Sequence, residues 1–348
     1  MRCAALLAIA GSMAAPCLAE SGRYVGAAVC SRCHSAEFRS QSATGHAHAL
    51  SLAAAHPLAA QFVPRGTLER KPRYLYRFSL SGDDFHVQVL DRANAMTIPI
   101  EWAFGAGEQA VTFVSRIDRD WYVEHYFTYY PALRSLGVTP GQQNRAAKSL
   151  PEAVGLVYKS LDPVEGIVRC FRCHSTGPLE TAAGKIQPTD PGVHCEACHG
   201  PGANHARTGD PKLILNPKRM SAVALNRFCG VCHRPPAETG VEIDWNFAWN
   251  VRHQPVYLSR SACFRKSNGA LSCLSCHNPH EALSHDAEHY NRVCASCHSA
   301  AHAAKAGAMR NCVDCHMPRV SPQPPLRFTN HWIGVYGQAA KLKPVRGD

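Results

Sequence analysis

Fourteen of the seventeen cysteines stand in pairs with two residues between them, and a histidine follows each pair directly. Two thiols three positions apart on one backbone turn can form thioethers to the two vinyl groups of one porphyrin, and the adjacent histidine can then bind the iron as its proximal ligand. The pattern therefore predicts seven covalently attached haems c. The seven motifs, called sites 1 to 7 in chain order, are Cys30, Cys33 and His34; Cys170, Cys173 and His174; Cys195, Cys198 and His199; Cys229, Cys232 and His233; Cys273, Cys276 and His277; Cys294, Cys297 and His298; and Cys312, Cys315 and His316.

Other uses of paired cysteines fit the spacing less well. Zinc ribbons and thioredoxin-like redox sites also contain C-x-x-C, but neither requires a histidine at the next position. Disulfides are the usual fate of cysteines in an exported protein. Here the motifs leave only Cys3, Cys17 and Cys263. The regular spacing favours haem attachment over all three alternatives.

The chain also contains more histidines than the seven motifs need as proximal ligands. Seven of the twenty histidines belong to the motifs, which leaves thirteen for other roles. Beyond the first 19 residues the chain has only four methionines: Met96, Met220, Met309 and Met317. The composition therefore predicts histidine on both sides of most or all irons, which keeps reduction potentials lower than His/Met ligation does.

The flanks of several motifs resemble those of multihaem cytochromes c with doubled C-x-x-C-H motifs. That group is related to hydroxylamine oxidoreductase, pentahaem nitrite reductase and the tetrahaem cytochrome of ammonia oxidisers. The resemblance lies in Tyr24-Val25-Gly26, in Thr44 to Ala49, in Gly192 to His205, in Cys273 to His280 and in Cys315 to Pro318 followed by Asn330-His331. It spans nearly the whole chain after the first 19 residues.

The resemblance implies a set of distal iron ligands. His46, His205, His280 and His331 follow from the matched segments, and His253 and His302 are further candidates. The seventh ligand stays open among His125, His48, His194, His285 and His289, with His125 placed in the predicted set. A histidine on a strand, such as His125, is more often a packed side chain than a ligand.

The first residues have the pattern of an export signal. Arg2 precedes an apolar run from Ala4 to Ala10, and small residues end at Ala19. We expect cleavage near Ala19, a periplasmic or extracellular location, and no membrane span.

The motifs also indicate the organisation of the chain. We predict a signal peptide at 1–19, an N-terminal haem segment at 20–60, a small antiparallel β insertion at 61–150 and a six-haem region at 151–348 that forms one haem-packed unit with 20–60. Alternating residues predict hairpins over 74–90 and 111–127. The remainder reads as short α-helices and loops wrapped around seven haems, and Pro318 to Pro325 as an extended segment that delivers His331.

Charge narrows the possible functions. The formal net charge of +11 suggests an anionic partner, but seven haems bring fourteen propionates that the basic residues can pair with, so nucleic acid is not an expected partner. The pattern favours an electron relay between redox partner proteins. The alternatives are a reductase or oxidase of small nitrogen or sulfur compounds with one open haem, and a homo-oligomer or subunit of a conducting filament.

Overall fold

A computed structural model describes residues 22–71, 73–236, 242–298, 311–337 and 341–345. The strands are β1 Leu50–Leu52, β2 Leu68–Arg70, β3 Tyr74–Ser81, β4 Asp84–Leu90, β5 Ala95–Pro99, β6 Trp102–Phe104, β7 Val111–Asp118, β8 Trp121–Tyr130, β9 Ser135–Val138, β10 Gly155–Lys159, β11 Ser175–Glu180, β12 Gln187–Pro191, β13 Arg319–Val320 and β14 Phe328–Thr329. The helices are α1 Ala27–Cys30, α2 Ser35–Ser42, α3 Leu150–Val154, α4 Val168–His174, α5 Cys195–His199, α6 Ala203–Thr208, α7 Ala222–His233, α8 Gln254–Leu258, α9 Ala262–Lys266, α10 Cys273–Cys276, α11 Ala287–Ala295 and α12 Cys312–His316.

A four-stranded antiparallel sheet has the order β2-β3-β4-β5. Its central hairpin pairs Leu75 with Leu90 and Ser81 with Asp84, so the connecting loop is two residues long. Gly82 in that loop has a φ of 58°, a left-handed conformation that glycine adopts without steric cost. The hairpin predicted over 74–90 is thereby confirmed.

A second antiparallel sheet has the order β1-β6-β7-β8-β10, and β9 also pairs with β8. Its β7–β8 hairpin confirms the hairpin predicted over 111–127. Two of its strands, β1 and β10, lie outside the predicted β insertion at 61–150. The antiparallel structure is therefore more extensive than predicted. These short strands form by pairing with neighbouring strands, and their own sequences show little alternation from which they could be predicted.

An aromatic core joins the two sheets. Phe62, Phe85 and Phe113 are fully buried there. The Phe62 and Phe113 rings lie edge to face with centroids 4.9 Å apart. Burying each such side chain contributes roughly 1.5–3 kcal/mol. This part of the chain therefore has a protein core of its own.

The opposite face of the second sheet holds site 2. Phe171, which stands between the two cysteines of the motif in α4, is fully buried. Its ring packs edge to face on Trp102 at 5.6 Å, on Phe104 at 5.0 Å and on Tyr122 at 6.1 Å. This aromatic contact fixes the motif to the rigid sheet.

The other motifs lie in short helices and turns with smaller apolar clusters. Val251, Val256, Tyr257 and Trp332 form one such cluster. Among the described residues the longest helix is α7, with 12 residues. None of the helices in the described ranges is long and apolar enough to cross a bilayer.

The proline-rich segment takes a different course from the predicted one. Instead of running extended throughout, it folds back so that β13 pairs with β14, with Arg319 opposite Thr329. The Asn330 side chain then donates to the Lys341 and Leu342 carbonyls. This turn places His331 directly after a paired strand.

Candidate haem-binding sites

Each motif is built on a tight helical turn. The backbone N–H of the motif histidine donates to the carbonyl of the first cysteine in site 1 (His34 to Cys30, 2.9 Å), site 5 (His277 to Cys273, 3.0 Å) and site 6 (His298 to Cys294, 2.9 Å). Such a turn brings two thiols and an imidazole to one side of the backbone. All fourteen motif cysteines lie in the described ranges as free thiols outside any disulfide. The local geometry therefore suits attachment of one porphyrin per motif.

The two cysteines of a motif are not equally covered by the chain. Cys33 of site 1 and Cys297 of site 6 are exposed, whereas their partners Cys30 and Cys294 are half-buried. The reason is local, because Cys33 and Cys297 lie in the turns that follow α1 and α11 rather than on the packed faces of those helices. Attachment of haem at Cys33 and Cys297 stays a prediction from the motif.

Three further motif cysteines are also exposed, namely Cys170, Cys232 and Cys315. In sites 4 and 7 the exposed thiol is again the second of its pair. In site 2 the order is reversed, and Cys170 is the exposed member, because α4 turns Phe171 toward the second sheet.

Four motif histidines lie opposite a second histidine from a distant part of the chain. The ring centroids are 6.2 Å apart for His34 and His205, 6.0 Å for His46 and His233, 6.0 Å for His199 and His280, and 6.2 Å for His277 and His331. The histidines that face the motif histidines, namely His205, His46, His280 and His331, are the four distal ligands that the family resemblance implies.

The spacing in these pairs fits an iron between the two rings. A metal ion bound by one nitrogen of each of two imidazoles, with bonds of about 2 Å, places the ring centroids about 6 Å apart. Rings in direct stacking contact would lie closer. Sites 1, 3, 4 and 5 therefore have the imidazoles that would hold a six-coordinate haem iron.

Backbone carbonyls orient many of these rings. The Nδ1 atoms of the motif histidines His174, His199 and His316 donate to the carbonyls of Ala49, Leu215 and Gly334, at 2.8, 2.8 and 2.9 Å. His205 and His331 donate in the same way to Asp210 and Thr329, each at 3.0 Å. A hydrogen bond from one ring nitrogen determines which nitrogen is left to bind a metal, so in all five Nε2 is the atom that would bind an iron.

Burial keeps several of these imidazoles neutral, which is the form that binds iron. Burial lowers the pKa of His233 to about 4, and His46, His174 and His277 add to this effect. Burial, together with His277 and His233, also lowers the pKa of His331 to about 4. The pKa values of His46, His174, His277 and His280 shift in the same direction for the same chief reason.

Thiols of different motifs lie close enough to shift one another's pKa values. Hydrogen bonding with Cys30 lowers the pKa of Cys195 to about 7, and Cys232 has the same effect on Cys173. Hydrogen bonding with Cys273 lowers the pKa of Cys229 to about 7. Burial and the nearby Cys312 and Cys276 raise the pKa of Cys294 to about 11. These sulfurs become thioethers on haem attachment, so the contacts matter here rather than the acidity.

His125 does not have the environment of a distal ligand. It is 2% exposed on β8, and its Nε2 atom bonds the Ser115 hydroxyl at 2.6 Å. Burial lowers its pKa to about 3. Its neighbours on the same face of the strand, Val123 and Phe127, belong to the core between the two sheets. These contacts favour His125 as a packed residue of the β structure over His125 as an iron ligand.

The other candidates for this ligand differ in what their rings contact. The Nε2 atoms of His194 and His289 bond the Pro191 and Cys276 carbonyls, at 2.9 and 3.1 Å. The His285 Nε2 atom lies 3.7 Å from a carboxylate oxygen of Glu108 on the surface. These contacts disfavour His194 and His289 and leave His48 and His285 open.

For two predicted ligands and for site 2, the described residues show no pair of facing imidazoles. The Nδ1 atom of His253 lies 3.4 Å from the Arg234 guanidinium, and burial lowers the pKa of His253 to about 4. His302 lies outside the described residues. In the described ranges, the ring packed against His174 is that of Phe104, at 5.2 Å, and no second imidazole pairs with His174.

Sequence reasoning did not identify the groups that orient the ligands. The carbonyls of Ala49, Leu215 and Gly334 carry no side-chain signal, so nothing in the residue types could have pointed to them. Glu196, inside the third motif, was also missed. Its carboxylate is buried and accepts a hydrogen bond from the Gly26 N–H, just before the first motif. An acidic residue between two haem-binding cysteines was the available signal.

Parts of the chain are similar in sequence to known cytochromes. Residues 142–200 match the family "Cytochrome c554 and c-prime". The multiheme cytochrome MtrA of Shewanella baltica (strain OS185) is 32% identical over 180 residues, which cover 45% of this chain and 47% of that protein. The chain thus spans about half the length of this relative.

Two solved structures show weaker similarity. The outer cell wall cytochrome OcwA has a TM-score of 0.49 and 16% identity over 89% of this chain and 79% of its own. The undecaheme cytochrome from the S-layer of Carboxydothermus ferrireducens has a TM-score of 0.43 and 19% identity over 81% of this chain and 43% of its own. In its seven motifs, in the matched segment 142–200 and in the aligned part of MtrA, the chain is similar to multihaem cytochromes of the c type.

Proposed function

We propose that the chain is a heptahaem electron relay in which histidine binds most or all of the irons on both faces. The observation that carries this proposal is the set of four histidine pairs at 6.0–6.2 Å, each joining a motif to a distant segment. Haem iron supplies a one-electron couple. Two imidazoles per iron favour electron transfer because they leave no open position for a substrate.

The thiol contacts support a particular order of the sites. Contacts join site 1 to site 3, site 2 to site 4, site 4 to site 5 and site 6 to site 7. Weaker electrostatic effects link Cys198 to Cys229 and Cys276 to Cys294, and so join site 3 to site 4 and site 5 to site 6. Because cysteine sulfurs mark porphyrin edges, we infer a continuous path 1-3-4-5-6-7 with site 2 branching from site 4.

The remaining distal ligands belong to the same proposal. We infer that His253, His302 and either His48 or His285 complete sites 2, 6 and 7. The specific kinship with the hydroxylamine oxidoreductase and nitrite reductase superfamily is likewise part of the proposal. We further propose that residues 1–19 direct export, that the protein works in the periplasm or outside the cell, and that its partners are redox proteins that donate and accept electrons.

Protein-film voltammetry of the purified holoprotein tests the relay. A relay should exchange electrons with the electrode over a broad range of potential, because neighbouring haems repel each other's charge and differ in burial. The current should not grow when nitrite or hydroxylamine is added. A catalytic current with either compound would support the reductase or oxidase alternative instead.

A further inference from the structure

Glu196 occupies an unusual position between the cysteines of site 3. The residue is 3% exposed although its side chain ends in a carboxylate. Its oxygens accept hydrogen bonds from three backbone N–H groups: Val25 at 3.0 Å, Gly26 at 2.7 Å and Gly202 at 2.7 Å. Hydrogen bonds to a charged acceptor are shorter and stronger than those between neutral groups. Within the part of the chain that the structure describes, main-chain N–H groups donate the hydrogen bonds to this buried carboxylate.

Two of these donors belong to the segment that leads into site 1. Gly26 is the N-cap of α1 and has a φ of 81°, which turns its N–H toward the carboxylate. The Ala203 N–H adds a second tie, because it donates to the Arg23 carbonyl at 3.2 Å. Residues 23–26 are therefore bonded to Glu196 inside the third motif and to the first residue of α6, which follows that motif.

The third donor belongs to the turn that leads to the distal ligand of site 1. Gly202 precedes α6, which carries His205, and a Cβ atom at Gly202 would lie 3.2 Å from a Glu196 oxygen. His205 in turn faces His34 at 6.2 Å. One carboxylate therefore accepts hydrogen bonds from the segment before His34 and from the turn before His205, the two histidines that would bind the same iron.

The charge of Glu196 also reaches the attachment points. The contact with Cys195 and burial are the main reasons that the pKa of Cys30 is raised, and the negative charge of Glu196 adds to that rise. Burial is the main reason that the pKa of Asp190 is raised, and Glu196 adds to it. A negative charge in a site of low dielectric favours the more positive, oxidised state of a nearby iron.

We propose that Glu196 is a positioning residue that clamps sites 1 and 3 into one unit and lowers the reduction potential of both. The proposal rests on the haem sites of the proposed function. It adds a specific role for one acidic side chain that binds no iron itself.

Two substitutions test the charge and the clamp. Glu196→Gln removes the charge and keeps the size of the side chain, but its NH2 group replaces one of the two oxygens that accept backbone hydrogen bonds. It should raise the midpoint potentials of two of the seven steps in a spectroelectrochemical titration. Glu196→Asp keeps the charge but shortens the reach to Val25 and Gly26. It should convert one low-spin haem to high-spin in the electron paramagnetic resonance (EPR) spectrum of the oxidised protein. Glu180→Gln removes an exposed carboxylate on β11 and serves as the matched control.

The outcomes distinguish this proposal from the proposed function. The electrostatic role would be overturned if the midpoint potentials of Glu196→Gln equal those of the wild type and of the Glu180→Gln control. The clamp would be overturned if every haem of Glu196→Asp stays low-spin. His205→Ala is the reference for site 1. If His205→Ala fails to create a high-spin haem, the ligand assignment fails. If it succeeds while both Glu196 variants match wild type, only the role of Glu196 fails. If a Glu196 variant yields no haem-loaded protein while Glu180→Gln does, the clamp is supported.

Discussion

The imidazole of His34, in the first motif, faces the imidazole of His205, which follows the third motif, with ring centroids 6.2 Å apart and ring planes 28° apart. His46, which follows the first motif, is joined to site 4 in the same way, because its ring faces the ring of the motif histidine His233. These pairs take their two ligands from segments that are far apart in the chain. Replacing one distal histidine should therefore alter one iron and leave its covalent attachment intact.

His331→Ala tests this expectation at site 5. The Nδ1 atom of His331 donates to the Thr329 carbonyl, and the ring faces His277 at 6.2 Å. The variant should keep all its covalent haems and show one haem changed from low-spin to high-spin by EPR and by a charge-transfer band in the oxidised absorption spectrum. His289→Ala, whose Nε2 bonds a carbonyl, is the control and should stay low-spin. An unchanged His331→Ala spectrum would remove His331 from the ligand set.

His125→Asn separates a packed histidine from a ligand. The substitution removes the 2.6 Å bond to Ser115 inside the sheets. It should lower the free energy of unfolding by about 1–3 kcal/mol and leave every haem spin state unchanged. Thermal unfolding and EPR of the same sample give both readings. A new high-spin haem in this variant would restore His125 as an iron ligand.

Glu124 should make stability depend on pH. Burial raises its pKa from 4.5 to about 7, and the hydrogen bond from Gln142 partly opposes the rise. The folded protein thus keeps a proton that the unfolded chain has lost between pH 4.5 and 7. The free energy of unfolding should therefore fall as the pH rises through this window, by up to about 3 kcal/mol.

Glu124→Gln measures that effect. The variant should unfold at a higher temperature than wild type at pH 8, and the difference should shrink toward pH 5. Glu69→Gln, an exposed position on β2, is the control and should follow wild type at both pH values. A Glu124→Gln difference that is the same at pH 5 and pH 8 would show that the carboxyl titrates normally.

The number of haems follows from the motifs. The fourteen cysteines of the seven motifs should all carry thioethers, the exposed Cys33 and Cys297 included, so denatured protein should retain seven haems per chain. Intact mass and the pyridine haemochrome assay measure this directly. A count of six or fewer would mean that at least one motif does not bind haem.

The sequence was sufficient where the signal is local. The cysteine pairs and their histidines lie within five residues, and the β3–β4 hairpin follows from alternation and a glycine turn, so both could be predicted. The partners of His34 and His233 depend on the packing of distant segments, and only the family resemblance indicated them. The role of His125 could not be decided from the sequence, because a ligand and a buried histidine on a strand have the same residue type. The hydrogen bond to Ser115 becomes visible only when β7 and β8 are paired.

EPR of the fully oxidised protein, recorded alongside a nitrite and hydroxylamine turnover assay, tests the relay most directly. Histidine on both faces of each iron predicts seven low-spin haems, no stoichiometric high-spin signal and no turnover of either compound. One stoichiometric high-spin haem together with turnover would contradict the relay and identify the chain as an enzyme with an open iron.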